Sequence, residues 1–157
     1  MAKKVFLTKK GLEKLKKRLK YLKEVERVKA SNRIGEAKEY GDLSENSEYQ
    51  SALENESEVE NEIKQIEENI KNHVLVDEEN VDTSSINVGC LVKLYDYDFD
   101  ENVTYRISGS TESDVENGII SNESPIGSSL MGKTIGDIIE VKTPDGVIKF
   151  KVLDITV

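Results

Sequence analysis

The sequence predicts an α+β protein of two domains, an antiparallel α-helical coiled-coil hairpin followed by a small α+β globule. Apolar residues recur at heptad spacing in the first half, whereas short β-branched runs separated by turn residues dominate the second. With 36% hydrophobic and 34% charged residues and no Trp among 157 residues, the chain cannot build one large core. We expect the coiled coil over 1–76, a linker over 77–87 and the globule over 88–157.

The first helix of the predicted hairpin begins after Thr8, a residue type that is favoured at the N-cap position. No proline interrupts the chain up to Tyr40, and good helix formers dominate this stretch. An apolar stripe with 3-4-3 spacing moves after its fourth member to Val25 and Val28, which predicts a local change of register. The four regular members are Leu12, Leu15, Leu19 and Leu22.

The second helix of the hairpin carries a more regular stripe, in which steps of three and four alternate without a break. Sustained spacing of this kind with charged flanks is typical of a coiled coil. The connection near Gly41 is short, so the two helices must run antiparallel. Arms of about 30 residues at ~1.5 Å rise per residue span roughly 45 Å. The stripe consists of Tyr49, Ala52, Glu56, Val59, Ile63, Ile66 and Ile70.

Charge is segregated along the chain, although the formal net charge is only −9. Residues 1–40 hold 14 Lys and Arg against 5 Asp and Glu, whereas residues 41–80 hold 2 against 13. The basic arm alone could suggest nucleic-acid binding, but the acidic arm beside it is the better partner. We interpret the charge runs as two solvated helix faces that attract each other. The acidic total argues against non-specific binding to nucleic-acid phosphates.

Three other features are better explained as structure than as sites. Cys90 is the only cysteine and lies in an apolar run, which excludes an internal disulfide and predicts a core position in a cytoplasmic protein. His73 is the only histidine, so it can form neither a zinc site nor a catalytic triad, and we expect it at a helix C-terminus. Residues 96–100 resemble the start of a calcium loop, but Glu101 replaces the required glycine. No apolar run is long enough for a signal peptide or a membrane span.

The turn between the two arms carries two acidic residues, Asp42 and Glu45, for which two interpretations remain open. Asp42 at the N-cap and Glu45 at the third helical position would form a capping box, with Gly41 ending the preceding helix. Alternatively, the two carboxylates emerge on one helix face and bind a metal ion. Mg²⁺ is usually held by one or two protein carboxylates, with waters and substrate phosphates as its other ligands. The pair could therefore complete a Mg²⁺ site whose other ligands belong to another protein.

In the second half, a turn signal and a cap signal position the predicted elements. Thr143-Pro144-Asp145-Gly146 predicts a hairpin between the last two strands. Ser124 can cap a short helix that has Pro125 as its first residue and Gly132 just past its end. The predicted strands cover 88–95, 103–108, 118–121, 137–142 and 147–155.

Several motifs in one order resemble the bacterial transcript-cleavage factors of the GreA/GreB family, with the nearer likeness to the GreA type. The first is the tip sequence GDLSENSEY at 41–49, preceded by IGEAKE at 34–39. Further matches are ISNESPIG at 120–127, LMGK at 130–133, YRI at 105–107 and KTPDG at 142–146. The resemblance therefore covers nearly the whole chain, and it implies an FKBP-like sheet for the globule.

The resemblance implies a function that this chain performs on another protein's active centre. In the family, the coiled coil enters the secondary channel of bacterial RNA polymerase, and its tip acids help to hold a second Mg²⁺ there. The polymerase then cleaves the 3′ part of backtracked nascent RNA, and elongation resumes. Carried over by motif, Asp42 and Glu45 are the catalytic and metal-binding pair, shared with the polymerase. The factor is then no enzyme by itself and binds no metal ion stably alone.

The resemblance also implies contact residues for polymerase and RNA. Glu123, Ser124 and Pro125 match the loop and short helix that dock on the rim of the polymerase channel. Arg33 and Lys38 are the basic residues that approach the 3′ end of the nascent RNA. We expect a monomer.

Where the family often has a basic residue close to the RNA, this chain has Leu53. The missing charge predicts a weaker grip on longer RNA and favours the GreA type. Two alternatives remain: a relative that occupies the channel as an inhibitor, and a coiled-coil adaptor whose acidic turn only caps a helix.

Overall fold

A computed structural model describes residues 3–41 and 45–157 of the chain. They form two compact units, which we treat separately. The first, Leu12–Asn72, is helical, and the second joins the residues up to Gly11 to His73–Val157. The predicted combination of a helical hairpin and a sheet-containing α+β domain is confirmed. Within the described ranges, no helix is long and apolar enough to cross a membrane.

The helical unit is an antiparallel hairpin. Helix α1 (Lys9–Tyr21) continues through a π-helical turn (Leu22–Glu26) into α2 (Arg27–Lys38), and α3 (Ser47–Lys71) returns beside it. The predicted cap of α1 is confirmed, because the amide of Gly11 donates a 3.0 Å hydrogen bond to the Thr8 hydroxyl. The first arm of the hairpin is therefore continuous in sequence but not in helical register.

The apolar seam between the arms follows the predicted stripes up to the π-helical turn. Val28, which the register shift placed in the stripe, is 52% exposed, so that part of the prediction is wrong. Ala30 and Ala37 are buried instead. A π-helical turn adds a residue to one turn and rotates the helix beyond it, which selects a different set of inward positions. The seam contains Leu22, Val59, Ile63 and Ile66, flanked by the partly buried Leu15, Leu19 and Ile70.

Ion pairs between the arms confirm the attraction that the charge segregation predicted. The basic member of each pair lies on the first arm and the acidic member on α3. In the Arg27–Glu60 pair, the guanidinium holds the pKa of the Glu60 carboxyl below its usual value. All are solvent-exposed, so water and salt screen them and each contributes little to stability. The four pairs are Arg18–Glu62, Lys23–Glu67, Arg27–Glu60 and Arg33–Glu48, at 2.9, 2.9, 2.7 and 3.0 Å.

The start of α3 differs from the predicted capping box. The N-cap is Asn46, whose side-chain oxygen accepts a 3.0 Å hydrogen bond from the amide of Tyr49. Its side-chain nitrogen also donates to the carbonyl of Ala37 at 2.6 Å, which ties the start of α3 to the end of α2. Glu45 thus precedes the N-cap, and the prediction that it sits at the third helical position is wrong. Asp42, the predicted N-cap, lies outside the described residues.

Replacing Asn46 is expected to loosen the closed end of the hairpin. Asn46→Ala removes both hydrogen bonds, at a cost of about 0.5–2 kcal/mol in the stability of the first turn of α3. Asn46→Asp keeps the acceptor for Tyr49 but cannot donate to the Ala37 carbonyl, so its effect should be smaller. Hydrogen exchange of the Tyr49 amide measures this, with about tenfold faster exchange expected for Asn46→Ala. Unchanged exchange in Asn46→Ala would contradict the assigned cap.

The second unit is built on a five-stranded sheet in the order β5-β4-β3-β7-β6, antiparallel except for the β4–β5 pair. The five predicted strands are confirmed with small boundary shifts. Helix α4 (Pro125–Leu130) packs against the core, which includes Cys90 as predicted. The strands are β3 (Leu91–Asp96), β4 (Glu101–Ser108), β5 (Ile119–Ser121), β6 (Ile138–Thr143) and β7 (Gly146–Thr156).

A two-stranded parallel sheet, which the sequence did not predict, joins the beginning of the chain to the residues after the hairpin. Strand β1 (Val5–Leu7) pairs with β2 (His73–Leu75). His73 therefore begins a strand, and its predicted position at a helix C-terminus is wrong. This pairing is why the compact units differ from the predicted domains, since residues up to Gly11 belong with the sheet. The predicted linker also packs there, with Ile86 fully buried in the core.

Candidate functional site

Glu45 lies at the closed end of the helical hairpin. It occupies a turn before the N-cap of α3 and is exposed. Among the described residues, none forms a hydrogen bond or an ion pair with its carboxylate. The side chain therefore has no structural task within the described part of the hairpin. Of the two predicted acidic site residues, Glu45 is described and Asp42 is not.

The geometry around Glu45 is held by residues on both arms. Gly41 has a φ of +114°, a conformation that side-chain-bearing L-residues rarely adopt. The side chain of Ala37 is fully buried, and its carbonyl receives the Asn46 hydrogen bond. These contacts fix where α2 ends and α3 begins, on either side of Glu45.

The described residues do not form a metal site by themselves. None of their carboxylate, His and Cys side chains forms a group of three that could hold a metal ion. Glu45 supplies one exposed carboxylate, the ligand type that Mg²⁺ prefers. A second carboxylate from Asp42 would bring the donor set to two, which fits a cation that takes its remaining ligands from elsewhere.

The predicted RNA-proximal basic residues differ in their surroundings. The Arg33 guanidinium is paired with Glu48 across the hairpin at 3.0 Å. Lys38 is exposed in the last turn of α2 and makes no ion pair with any residue that the structure describes. Leu53 is 37% exposed on α3, so an apolar group faces solvent there. Lys38 is thus the more available cation of the predicted pair.

A cavity of about 370 Å³ opens beside the closed end of the hairpin. It is bordered by the last turns of α2 and the first turn of α3. Tyr40, at its edge, is 76% exposed. The lining residues are Arg33, Glu36, Ala37, Tyr40, Asn46, Ser47 and Glu48.

The loop before α4 holds the other predicted site residues. The Ser124 hydroxyl accepts a 3.0 Å hydrogen bond from the Gly127 amide and donates to the Ser121 carbonyl at 2.7 Å. Its capping role, with Pro125 as first helical residue, is confirmed. Because the Ser124 hydroxyl is occupied by these bonds, the available groups of the loop are the exposed ring of Pro125 and the carboxylate of Glu123.

Glu123 is held by two contacts but remains accessible. Its amide donates to the Ser121 hydroxyl at 3.0 Å, and its carboxylate lies 3.2 Å from the Lys3 ammonium. The Lys3 side chain is 75% exposed and that of Glu123 is 30% exposed. An exposed pair of this kind is weak, so a partner's cation can replace Lys3.

Sequence reasoning missed one tertiary contact that anchors the start of α1. The Glu112 carboxylate accepts hydrogen bonds from the Thr8 amide and hydroxyl, at 3.0 and 2.5 Å. A Cβ added to Gly11 would lie 2.4 Å from a Glu112 oxygen, so a larger residue there would displace the Glu112 carboxylate from Thr8. No local pattern could reveal this, because Thr8 and Glu112 are separated by 104 positions.

Comparisons with known proteins cover both units. A family model described as "Transcription elongation factor, N-terminal" matches residues 5–74, and one described as "Transcription elongation factor, GreA/GreB, C-term" matches 81–157. Transcription elongation factor GreA of Acetivibrio thermocellus is 49% identical over 98% of this chain and 96% of its own length. That of Clostridium botulinum (strain Langeland) has the same identity over 98% and 96%. The crystal structure of GreA factor homolog 1 (Gfh1) of Thermus thermophilus is 27% identical, with a TM-score of 0.46 over 99% of this chain and 100% of that one.

Proposed function

This chain belongs to the GreA/GreB family of transcription elongation factors, and we propose that it stimulates RNA polymerase to cleave its own backtracked transcript. In this proposal the helical hairpin enters the secondary channel of bacterial RNA polymerase. The polymerase performs the hydrolysis, and this chain acts as an accessory factor in the cytoplasm. The released 3′ fragment leaves a new RNA end in the active centre, from which elongation continues.

The exposed carboxylate of Glu45, which no described residue binds, carries the proposal. A carboxylate near a helix start can serve the cap, but Asn46 performs that task here. With respect to the described residues, the acid is therefore available to another protein. A hairpin of two helices is also narrow enough for a channel, and 25 residues of α3 give it a length of about 37 Å.

Asp42 and Glu45 are proposed to hold Mg²⁺ together with the polymerase. When bound, this ion lowers the pKa of a water and stabilises the charge that develops on the phosphate. The task of this chain is to present two carboxylates in a fixed position, so that little ordering is required at the moment of reaction. The hydrogen bonds of Asn46 to both arms provide that rigidity near Glu45.

The sheet unit is proposed to dock on the rim of the channel. Glu123 offers an accessible carboxylate, and Pro125 offers an exposed apolar ring beside it. Lys38 and Arg33 are proposed to lie near the RNA 3′ end, with Lys38 making the stronger contribution because Arg33 is already paired with Glu48. Contacts of these two cations with RNA phosphates would weaken as the salt concentration rises.

A stalled-complex experiment tests the proposed function. Purified RNA polymerase is halted on a template, allowed to backtrack, and mixed with the protein in the presence of Mg²⁺. We expect shortening of the labelled RNA from its 3′ end to accelerate by about 100-fold or more over polymerase alone. Binding without acceleration, together with slower elongation, would support the inhibitor instead. Absence of both binding and cleavage would leave a coiled-coil adaptor as the surviving function.

A further inference from the structure

We propose that Tyr40 and the cavity beside it receive a base of the displaced RNA 3′ segment. This inference rests on the proposed function, because it assigns a binding site for the RNA that the factor helps to cleave. Tyr40 would then be a positioning residue: it would hold the RNA chain still while the polymerase hydrolyses the phosphodiester bond.

The exposure of Tyr40 is the first observation. At 76%, it is the most exposed large apolar side chain in the described part of the protein. Its amide donates a 3.2 Å hydrogen bond to the Ala37 carbonyl, so the backbone position is defined. The ring nevertheless packs into no core cluster. Folding of the hairpin does not need an aromatic group here, whereas a ring facing solvent offers a flat surface for another ring.

The charges of the cavity decide which part of a nucleotide it fits. Arg33 supplies one positive charge, but Glu48 neutralises it at 3.0 Å and Glu36 adds a second carboxylate. The described lining residues therefore carry a net negative charge, which disfavours a phosphate group inside the cavity. A nucleobase is neutral, and its N–H groups can donate hydrogen bonds to the carboxylate of Glu36, which makes no ion pair with the described residues.

The neighbours of the cavity also favour stacking over base-specific reading. Both polar atoms of the Asn46 side chain are already hydrogen-bonded within the hairpin. Ser47, also at the cavity, has a hydroxyl that makes no hydrogen bond to the described residues, and because a hydroxyl both donates and accepts, it does not select one base. A stacking platform accepts every base, because each has a π-face. This suits a factor that acts wherever a polymerase stalls.

The test compares Tyr40→Ala with Tyr40→Phe on two kinds of stalled complex. One contains ordinary RNA, and the other contains RNA whose displaced 3′ nucleotides lack bases. On ordinary RNA, we expect Tyr40→Ala to raise the protein concentration for half-maximal cleavage about tenfold, whereas Tyr40→Phe stays within about twofold of wild type. On the abasic RNA, wild type should fall to the level of Tyr40→Ala, and the substitution should have no further effect.

Each other outcome contradicts the inference in a recognisable way. Equal activity of Tyr40→Ala and wild type on ordinary RNA would show that the ring is not used. An equal loss by Tyr40→Ala on both RNAs would show that Tyr40 acts on the protein rather than on a base. In either case cleavage by wild type persists, so the proposed function stands. Only failure of wild type to accelerate cleavage of ordinary RNA would remove the proposed function itself.

Discussion

Glu45→Gln is expected to lower factor-stimulated RNA cleavage by about 100-fold. The substitution keeps the size and shape of the side chain but removes the negative charge, and a neutral amide is a much poorer Mg²⁺ ligand than a carboxylate. Because the Glu45 side chain makes no hydrogen bond or ion pair to the other described residues, stability should not change. Cleavage of RNA in backtracked complexes at saturating protein concentration measures the effect.

Glu48→Gln is the matched control for this prediction. It removes a charge three positions away, on the first turn of α3, where the carboxylate is paired with Arg33. The loss of one exposed ion pair should cost at most about 1 kcal/mol of stability and leave cleavage within about threefold of wild type. If the two variants lose RNA cleavage equally, cleavage depends on the total negative charge of the hairpin, and Glu45 has no special role.

Gly127→Ala is expected to disrupt the proposed docking loop. A Cβ at this position would lie 1.9 Å from the Ser121 carbonyl oxygen and 2.9 Å from the Ser124 hydroxyl. Neither the Ser121 carbonyl nor the Ser124 hydroxyl can make room while the loop keeps its conformation, so the loop as a whole must shift. We expect about 1–3 kcal/mol of destabilisation in the sheet unit and at least tenfold weaker binding to RNA polymerase.

Two measurements separate the local from the general effect of Gly127→Ala. Hydrogen exchange reports whether the change is confined to the loop and α4 or spreads to β3 and β7. Ser128→Ala is the control, because Ser128 is exposed in the same helix and loses only a long, 3.3 Å hydrogen bond to the Pro125 carbonyl, so stability and binding should change little. Wild-type binding by Gly127→Ala in the presence of a displaced loop would contradict the proposed docking role of Glu123 and Pro125.

The sequence predicted the elements whose signals are local. Apolar, β-branched runs and the Thr143–Gly146 turn identified the strands of the sheet, because β-branched residues favour strands and turn residues separate them. The 3-4 spacing identified α3, because burial of one helix face leaves this period in the sequence. Ser124 was correctly predicted as a cap because its neighbours include Pro125, which marks a helix start.

Long-range contacts, and the choice between competing cap residues, could not be predicted from local sequence patterns. The β1–β2 pair joins segments more than 60 positions apart, and a strand of three residues is too short to give a recognisable sequence pattern. At the start of α3, Asn46 and Asp42 are both good cap residues, and local rules do not choose between them. Asn46 forms the cap because its amide can also donate to the Ala37 carbonyl, a contact that exists only after the hairpin has closed.

The identity of the α3 cap decides whether the helix start occupies the Glu45 carboxylate. With Glu45 as part of a capping box, its carboxylate would be occupied by the helix start, and an exposed acid would need no further explanation. With Asn46 as the cap, Glu45 lies outside the helix, and no described residue binds its carboxylate. This is the condition that the proposed use of Glu45 requires.

The most direct test of the central claim is a Mg²⁺ titration of RNA cleavage in backtracked complexes saturated with wild-type protein or with Asp42→Asn/Glu45→Gln. If the acids complete a metal site within the polymerase, wild type should reach half-maximal cleavage at a lower Mg²⁺ concentration than polymerase alone. The double variant should still bind polymerase but follow the curve of polymerase alone. A double variant that cleaves as fast as wild type, with the same Mg²⁺ dependence, would contradict the claim that these carboxylates serve the polymerase active centre.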